Sequence, residues 1–154
     1  MKSLVLLPNG FKKVGWILLA LSVLMWSFHL IWDWEPSWME FKTWSILNSQ
    51  FLGESSWMSF KSQNMFITVV AVIFIIGGLV VGFSKEKVED EFITTLRLNS
   101  LMWAVLVGYL VLVFLYLTVY GLAFLNVLAY QMFAILLLFI FRFHYLLYKH
   151  NSKG

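Results

Sequence analysis

Long apolar stretches alternate along the chain with short segments that carry nearly all of its charged residues. The longest is an uncharged run from Leu98 to Phe141, and two further stretches extend over 14–32 and 65–83. A bilayer core about 30 Å thick needs roughly 20 apolar residues for each helical crossing. The long run can cross twice with a turn between, so the pattern predicts four spans, at about 14–32, 65–83, 99–121 and 126–148.

These stretches are continuously apolar and lack the alternation of barrel strands, so helices are the expected spanning structure. Composition agrees, because 61% of the residues are hydrophobic and only 12% are charged. The predicted fold class is all-α: one membrane domain, 1–154, with four transmembrane helices in an antiparallel bundle. The chain has no cysteine, which excludes disulfides, thiol nucleophiles and iron–sulfur ligands.

The positions of lysine and arginine predict the orientation. All of them except Lys42 and Lys61 fall on one side of the predicted topology. Basic residues near short loops are retained in the cytoplasm. Both termini and the charged connector, residues 84–98, are therefore expected inside, and residues 33–64 outside. The basic residues are scattered rather than clustered, so no nucleic-acid partner is expected.

The predicted external segment, 33–64, is rich in aromatic residues. Pro36 can occupy a first helical turn, and Trp34, Trp38 and Phe41 follow helical spacing, which predicts a short helix lying in the outer interface. An aromatic membrane belt is the simpler interpretation of this composition. A lid over an external pocket is the alternative.

The second predicted span carries small residues along one face. Ala71, Gly78 and Gly82 recur on that face, and the last two form a G-x-x-x-G spacing that allows close approach of another helix. Packing within the chain is the first interpretation, and a homodimer contact is the alternative.

The connector contains the only dense cluster of charges. Its acidic residues alternate with lysines, and Ser84 is a suitable N-cap, so the segment is expected to run as an amphipathic helix into the third span. A solvated helix start is the simplest interpretation; docking of a cytoplasmic protein is the more informative one, and metal binding or catalysis is the least favoured. The candidate docking residues are Glu86, Glu89, Asp90, Glu91 and Arg97.

Five polar residues within or at the ends of the spans are further candidates: His29, Asp33, Tyr109, Gln131 and Arg142. The first two are one turn apart, so the carboxylate could raise the pKa of the histidine. Arg142 is expected to extend its side chain toward the interface, or alternatively to form a buried ion pair with a connector carboxylate. No catalytic, metal-binding or cofactor motif is present, so no cofactor is expected.

Residues 86–93 and 96–98 of the connector, with 131–133 and 141–143 of the last span, resemble an uncharacterised family of small four-helix membrane proteins from Bacteroidota. The resemblance extends over most of the chain. It implies a multi-pass protein of the bacterial inner (cytoplasmic) membrane. Such proteins are similar to ones encoded beside a small helix-turn-helix regulator, and the resemblance implies no activity or site.

The leading functional hypothesis is a non-enzymatic membrane protein that acts as a sensor or docks a cytoplasmic protein such as that regulator. The alternative is a small transporter, channel or immunity-type protein that uses the polar faces of the helices. A membrane enzyme is the weakest of the three, because the catalytic candidates do not converge on one side of the bilayer. The expected partners are the lipid bilayer, a cytoplasmic protein and, alternatively, a second copy of the chain.

Overall fold

The computed structural model describes residues 5–48 and 56–154. Along this part of the chain the elements are α1 (Gly10–Trp32), a short 3-10 helix (Ser37–Met39), β1 (Glu40–Asn48), β2 (Ser56–Asn64), α2 (Phe66–Phe83), α3 (Glu91–Thr118) and α4 (Leu122–Lys153). Each of these four α-helices is long and apolar enough to cross a membrane. The prediction of an all-α polytopic fold with four spanning helices is confirmed, and the chain is a multi-pass membrane protein.

The described residues divide into two compact units. The first unit contains the chain up to Leu19 together with Ile75–Gly154, and the second contains Ala20–Phe74. The first unit includes the start of α1 and the end of α2, and the second unit includes the end of α1 and the start of α2. The first unit also contains α3, α4 and the connector, and the second contains the two strands.

Glycines bring the helices of the first unit into close contact. A Cβ at Gly82 would lie 2.5 Å from the ring of Phe139, and one at Gly78 would meet the side chain of Leu136. This face of α2 is therefore occupied by α4 of the same chain. Gly108 of α3 similarly meets Ile135 of α4. Ala71, the third predicted small residue, lies in the second unit and is partly exposed.

The turn between α3 and α4 is shorter than predicted. Only residues 119–121 separate the helices, and the segment from Leu122 to Asn126, expected near the turn, already belongs to α4. Gly121 has a positive φ of 75°, a conformation that glycine adopts without a steric penalty from a Cβ. The glycine allows the chain to reverse in three residues.

The second unit contains an antiparallel β-hairpin where the sequence predicted a loop with a short helix. The strands pair from Glu40 opposite Asn64 to Asn48 opposite Ser56. The predicted helix is wrong: only Ser37–Met39 forms a 3-10 turn, and Phe41 lies in β1. The strand contains aromatic and β-branched residues, which favour a pleated backbone, and the partner strand satisfies its amides. Residues 49–55, which follow β1 and precede β2 in the sequence, lie outside the described residues.

The connector also differs from its prediction. α3 begins at Glu91, with Asp90 as its N-cap, and no helix starts at Ser84. Instead the Ser84 backbone forms an isolated β-bridge with Leu7 of the N-terminal segment. Backbone pairing with that distant segment replaces the predicted helical hydrogen bonds, so the amphipathic helix expected to begin at Ser84 does not form over residues 84–90. Residues 84–90 are called the connector loop below.

Candidate functional site

The connector loop is attached to the N-terminal segment by backbone hydrogen bonds. The Leu7 N–H donates to the Phe83 carbonyl at 3.0 Å, and the Lys85 N–H donates to the Leu7 carbonyl at 2.8 Å. Asn9 adds a side-chain bond, because its amide nitrogen donates to the Lys85 carbonyl at 2.7 Å. These contacts hold the start of the loop against the chain that enters α1.

An ion pair joins the middle of the connector loop to α1. The Lys12 ammonium contacts the Glu86 carboxylate, and both side chains are mostly buried. Charge pairs removed from water interact more strongly than pairs on an open surface. Glu86 therefore serves as an internal contact of the first unit.

A second ion pair joins the end of the loop to α3. Arg97 Nη1 donates to Glu89 Oε1 at 2.6 Å, and Nη2 donates to the other carboxylate oxygen at 3.3 Å and to the Ser84 carbonyl at 3.1 Å. Only 2% of the Arg97 side chain is exposed, and its guanidinium carbon lies 4.9 Å from the centre of the Phe143 ring. The arginine thus connects both ends of the loop.

The surroundings of Glu89 lower its pKa. Burial acts to raise the pKa, but the hydrogen bond from Arg97, a hydrogen bond from the Glu86 backbone N–H and the positive charge of Arg97 together outweigh it. The carboxylate is therefore stabilised in its charged form. This agrees with its role as the partner of a buried guanidinium.

The predicted docking residues have mostly internal roles. Glu86 and Glu89 are in ion pairs, Arg97 is buried, and the Asp90 carboxylate accepts from the Ile93 N–H as a helix cap. Among the five, Glu91 is exposed in the first turn of α3 and forms no ion pair within the described part of the chain. The sequence did not reveal that Glu89 binds Arg97 or that Glu86 binds Lys12.

A pocket of about 430 Å³ opens beside the Lys12–Glu86 pair. Lys13, Lys87 and His150 provide basic or titratable groups in its wall. Its apolar wall is formed by Trp16, Val88, Ile93 and Leu147. The pocket therefore combines cationic side chains with an apolar surface at the ends of α1, α3 and α4.

In the second unit, His29 interacts with Trp34 and Glu35. Its Nδ1 lies 3.3 Å from the Trp34 carbonyl oxygen, and its Nε2 lies 4.0 Å from Glu35 Oε1. The predicted pairing with Asp33 is wrong. Asp33 has a positive φ of 49° as the chain leaves α1, so the helical spacing on which the pairing depended does not continue to it.

In the first unit, the three remaining polar candidates make separate contacts. The Gln131 amide donates to the Gly108 carbonyl of α3 and is buried. The Arg142 guanidinium lies 4.3 Å from the centre of the Trp103 ring, and Tyr109 is exposed on the outer face of α3. Gln131 therefore links α4 to the backbone of α3, and the ion pair considered for Arg142 is made by Arg97.

Sequence reasoning did not identify the contacts of Lys12, Asn9 and Trp103. Each of these residues has a partner at least 39 positions away in the sequence. The partners of Lys12 and Asn9 also lie in the connector loop, whose conformation has no periodic sequence pattern. The short, charge-rich connector was the only available signal. Within residues 5–48 and 56–154, no group of three or more histidine, aspartate or glutamate side chains could hold a metal ion.

No family model matches the chain, and searches of curated proteins and of solved structures find no match.

Proposed function

We propose that this chain is a non-enzymatic, multi-pass protein of a bacterial inner membrane whose connector docks a cytoplasmic protein. One observation carries the proposal. The connector loop has no helical structure, yet ion pairs at Glu86 and Glu89 attach it to α1 and α3, and Val88 between them is 75% exposed. A preorganised loop loses less conformational entropy on binding than a mobile one.

The proposed docking surface consists of the exposed side chains Lys85, Lys87, Val88, Glu91 and Phe92. Apolar residues surrounded by charged ones are typical of protein interfaces, where the apolar centre supplies affinity and the charged rim supplies specificity. The internal carboxylates of the connector position this surface and do not contact the partner. A small helix-turn-helix regulator is the partner that the family resemblance suggests.

The orientation of this surface is supported by the distribution of basic residues. Lys12, Lys13, Lys149 and Lys153 all lie near the same helix ends as the connector loop. Basic residues are enriched at the cytoplasmic ends of spanning helices. A docking surface at this end would therefore face the cytoplasm.

Transport has less support than docking. The Gln131 amide is bonded to a backbone carbonyl, and the Arg142 guanidinium stacks on Trp103. Transport pathways place ionisable groups along a cavity that ions or substrates can reach. In the described part of α3 and α4, Gln131 and Arg142 contact other protein groups instead, although the Arg142 Nε has no hydrogen-bond partner there.

The experiment is photocrosslinking in living cells from a photoreactive residue at Val88, with a second probe at Trp38 of the other unit. A cytoplasmic protein captured from Val88 and not from Trp38 is then purified and tested for binding. We expect Val88→Asp to weaken that binding at least tenfold. Val5→Asp is the matched control, because Val5 is 98% exposed and lies outside the docking surface.

Two results would overturn the proposal. Capture of only lipid or the chain itself from Val88 would indicate that no cytoplasmic protein docks there. Equal binding by wild type, Val88→Asp and Val5→Asp would show that the captured protein does not recognise this surface.

A further inference from the structure

The pocket beside the Lys12–Glu86 pair shares Lys87 and Val88 with the docking surface, but Lys13, Trp16 and Leu147 give it a charge and shape that the docking of a protein does not explain. We propose that it binds the phosphate-bearing headgroup of an anionic phospholipid. Its residues come from the start of α1, the connector loop, the start of α3 and the end of α4. Because these helices span the membrane, their ends lie at the depth of the headgroups.

The charges of the pocket leave two lysines available for an anion. Lys12 is paired with Glu86, and the Asp90 carboxylate accepts the Ile93 N–H as a helix cap. Lys13 and Lys87 line the pocket, are exposed, and form no ion pair within the described part of the chain. Asp90 still carries its negative charge, so Lys13, Lys87 and Asp90 together give the pocket a formal charge of +1, and a phosphate group would meet two ammonium groups that form no ion pair there.

The uncharged lining indicates an amphipathic ligand. Trp16 and Leu147 provide apolar surface, whereas Asn151 provides an amide group that can donate hydrogen bonds. A volume of about 430 Å³ is within the range of small-molecule sites and accommodates a headgroup with its glycerol. The acyl chains would continue along exposed apolar side chains of α1 such as Ile17.

Free phosphate shares the charge of this ligand but would not use the apolar wall. A zwitterionic phosphatidylcholine has the phosphate but adds a choline cation, which the two lysines would repel. Basic pockets between spanning helices on the cytoplasmic side are suited to anionic headgroups. An anionic phospholipid is therefore the ligand that fits the charge, the apolar wall and the location together.

The test is native mass spectrometry of the purified full-length protein in detergent micelles, titrated with phosphatidylglycerol or with phosphatidylcholine. We expect phosphatidylglycerol to bind more tightly. The variant Lys13→Gln/Lys87→Gln should weaken its binding about 25-fold, since each lysine near the membrane surface contributes about fivefold. Lys13→Arg/Lys87→Arg should retain most of the binding, because it keeps both charges.

Lys149→Gln/Lys153→Gln is the matched control. It also removes two positive charges, from the end of α4 that contributes to the pocket, but neither residue lines the pocket. We expect it to change phosphatidylglycerol binding less than threefold. All four substituted lysines are exposed, so folding is expected to be preserved, and the thermal unfolding midpoint of each variant checks this.

Three results would overturn the proposal. Equal affinity for both lipids would remove the charge preference, and equal losses in the two glutamine variants would indicate general attraction to a basic surface. Competition by millimolar inorganic phosphate would identify a soluble anion as the ligand. The assay contains no partner protein. A negative result for lipid binding would therefore leave the docking proposal intact, and a negative result for docking would leave the lipid-binding proposal intact.

Discussion

Replacing Glu89 with glutamine should lower the free energy of unfolding by about 2 to 3 kcal/mol. The substitution preserves the size of the side chain but removes the charge that neutralises Arg97, of which only 2% is exposed. Loss of one partner of a buried ion pair costs about 3 to 5 kcal/mol. We expect a smaller value because the Ser84 carbonyl still accepts from Arg97 and because 18% of the Glu89 side chain reaches solvent.

The assay is equilibrium unfolding of the purified protein in mixed detergent micelles, followed by circular dichroism. Glu91→Gln is the control, since Glu91 is an exposed carboxylate two positions away whose interaction with the helix dipole is worth about 0.3 to 1 kcal/mol. The double variant Glu89→Gln/Arg97→Met removes both charges. It should recover most of the loss, because it leaves no unpaired charge in the interior.

Equal effects of Glu89→Gln and Glu91→Gln, both below about 1 kcal/mol, would refute this reasoning, since surface carboxylates contribute that little. A double variant less stable than Glu89→Gln would refute it as well. Either result would mean that the ion pair does not hold the connector loop in place.

Three further predictions concern pH and the glycines. The pKa of Glu89 is lowered in the folded protein, so the ionised carboxylate stabilises the fold fully above its ordinary pKa of about 4.5, and this stabilisation is lost as the pH falls below that value. The thermal unfolding midpoint should therefore fall more steeply between pH 7 and pH 3 for wild type than for Glu89→Gln. Gly82→Ala should destabilise the protein by about 1 to 3 kcal/mol in the same unfolding assay, because the added Cβ would meet Phe139. Gly10→Ala is the control, because a Cβ there meets nothing within 4 Å and should not destabilise the protein. Equal effects of the two substitutions would contradict the α2–α4 contact. Gly121→Ala should cost about 1 kcal/mol or more because φ is positive there, and unchanged stability would contradict the turn geometry.

The spanning helices could be predicted from the sequence because lipid requires each crossing to satisfy its own backbone hydrogen bonds. Hydropathy alone therefore identified all four. The G-x-x-x-G spacing of Gly78 and Gly82 similarly marked a face where helices approach closely, and the structure places α4 against it. These features depend on local composition and period, which a sequence displays directly.

The connector loop and the hairpin could not be predicted in the same way. The connector loop depends on pairing between segments that are distant in sequence, such as Leu7 with Ser84, and the hairpin depends on the pairing of β1 with β2. Trp34, Trp38 and Phe41 share a helical spacing that chance also produces in an aromatic-rich segment. Whether Arg97 or Arg142 binds a connector carboxylate likewise depends on the path of the connector loop. A loop has no repeating sequence pattern from which that path could be predicted.

Docking of a cytoplasmic protein requires that the connector loop lie on the cytoplasmic side of the membrane, and the absence of native cysteine makes this directly measurable. Single-cysteine variants Val88→Cys and Trp38→Cys would be treated with a membrane-impermeant maleimide in spheroplasts, before and after the membrane is broken. We predict that Cys at position 38 reacts in intact spheroplasts and that Cys at position 88 reacts only after lysis. Labelling at position 88 in intact spheroplasts would contradict the proposed orientation and the docking function with it.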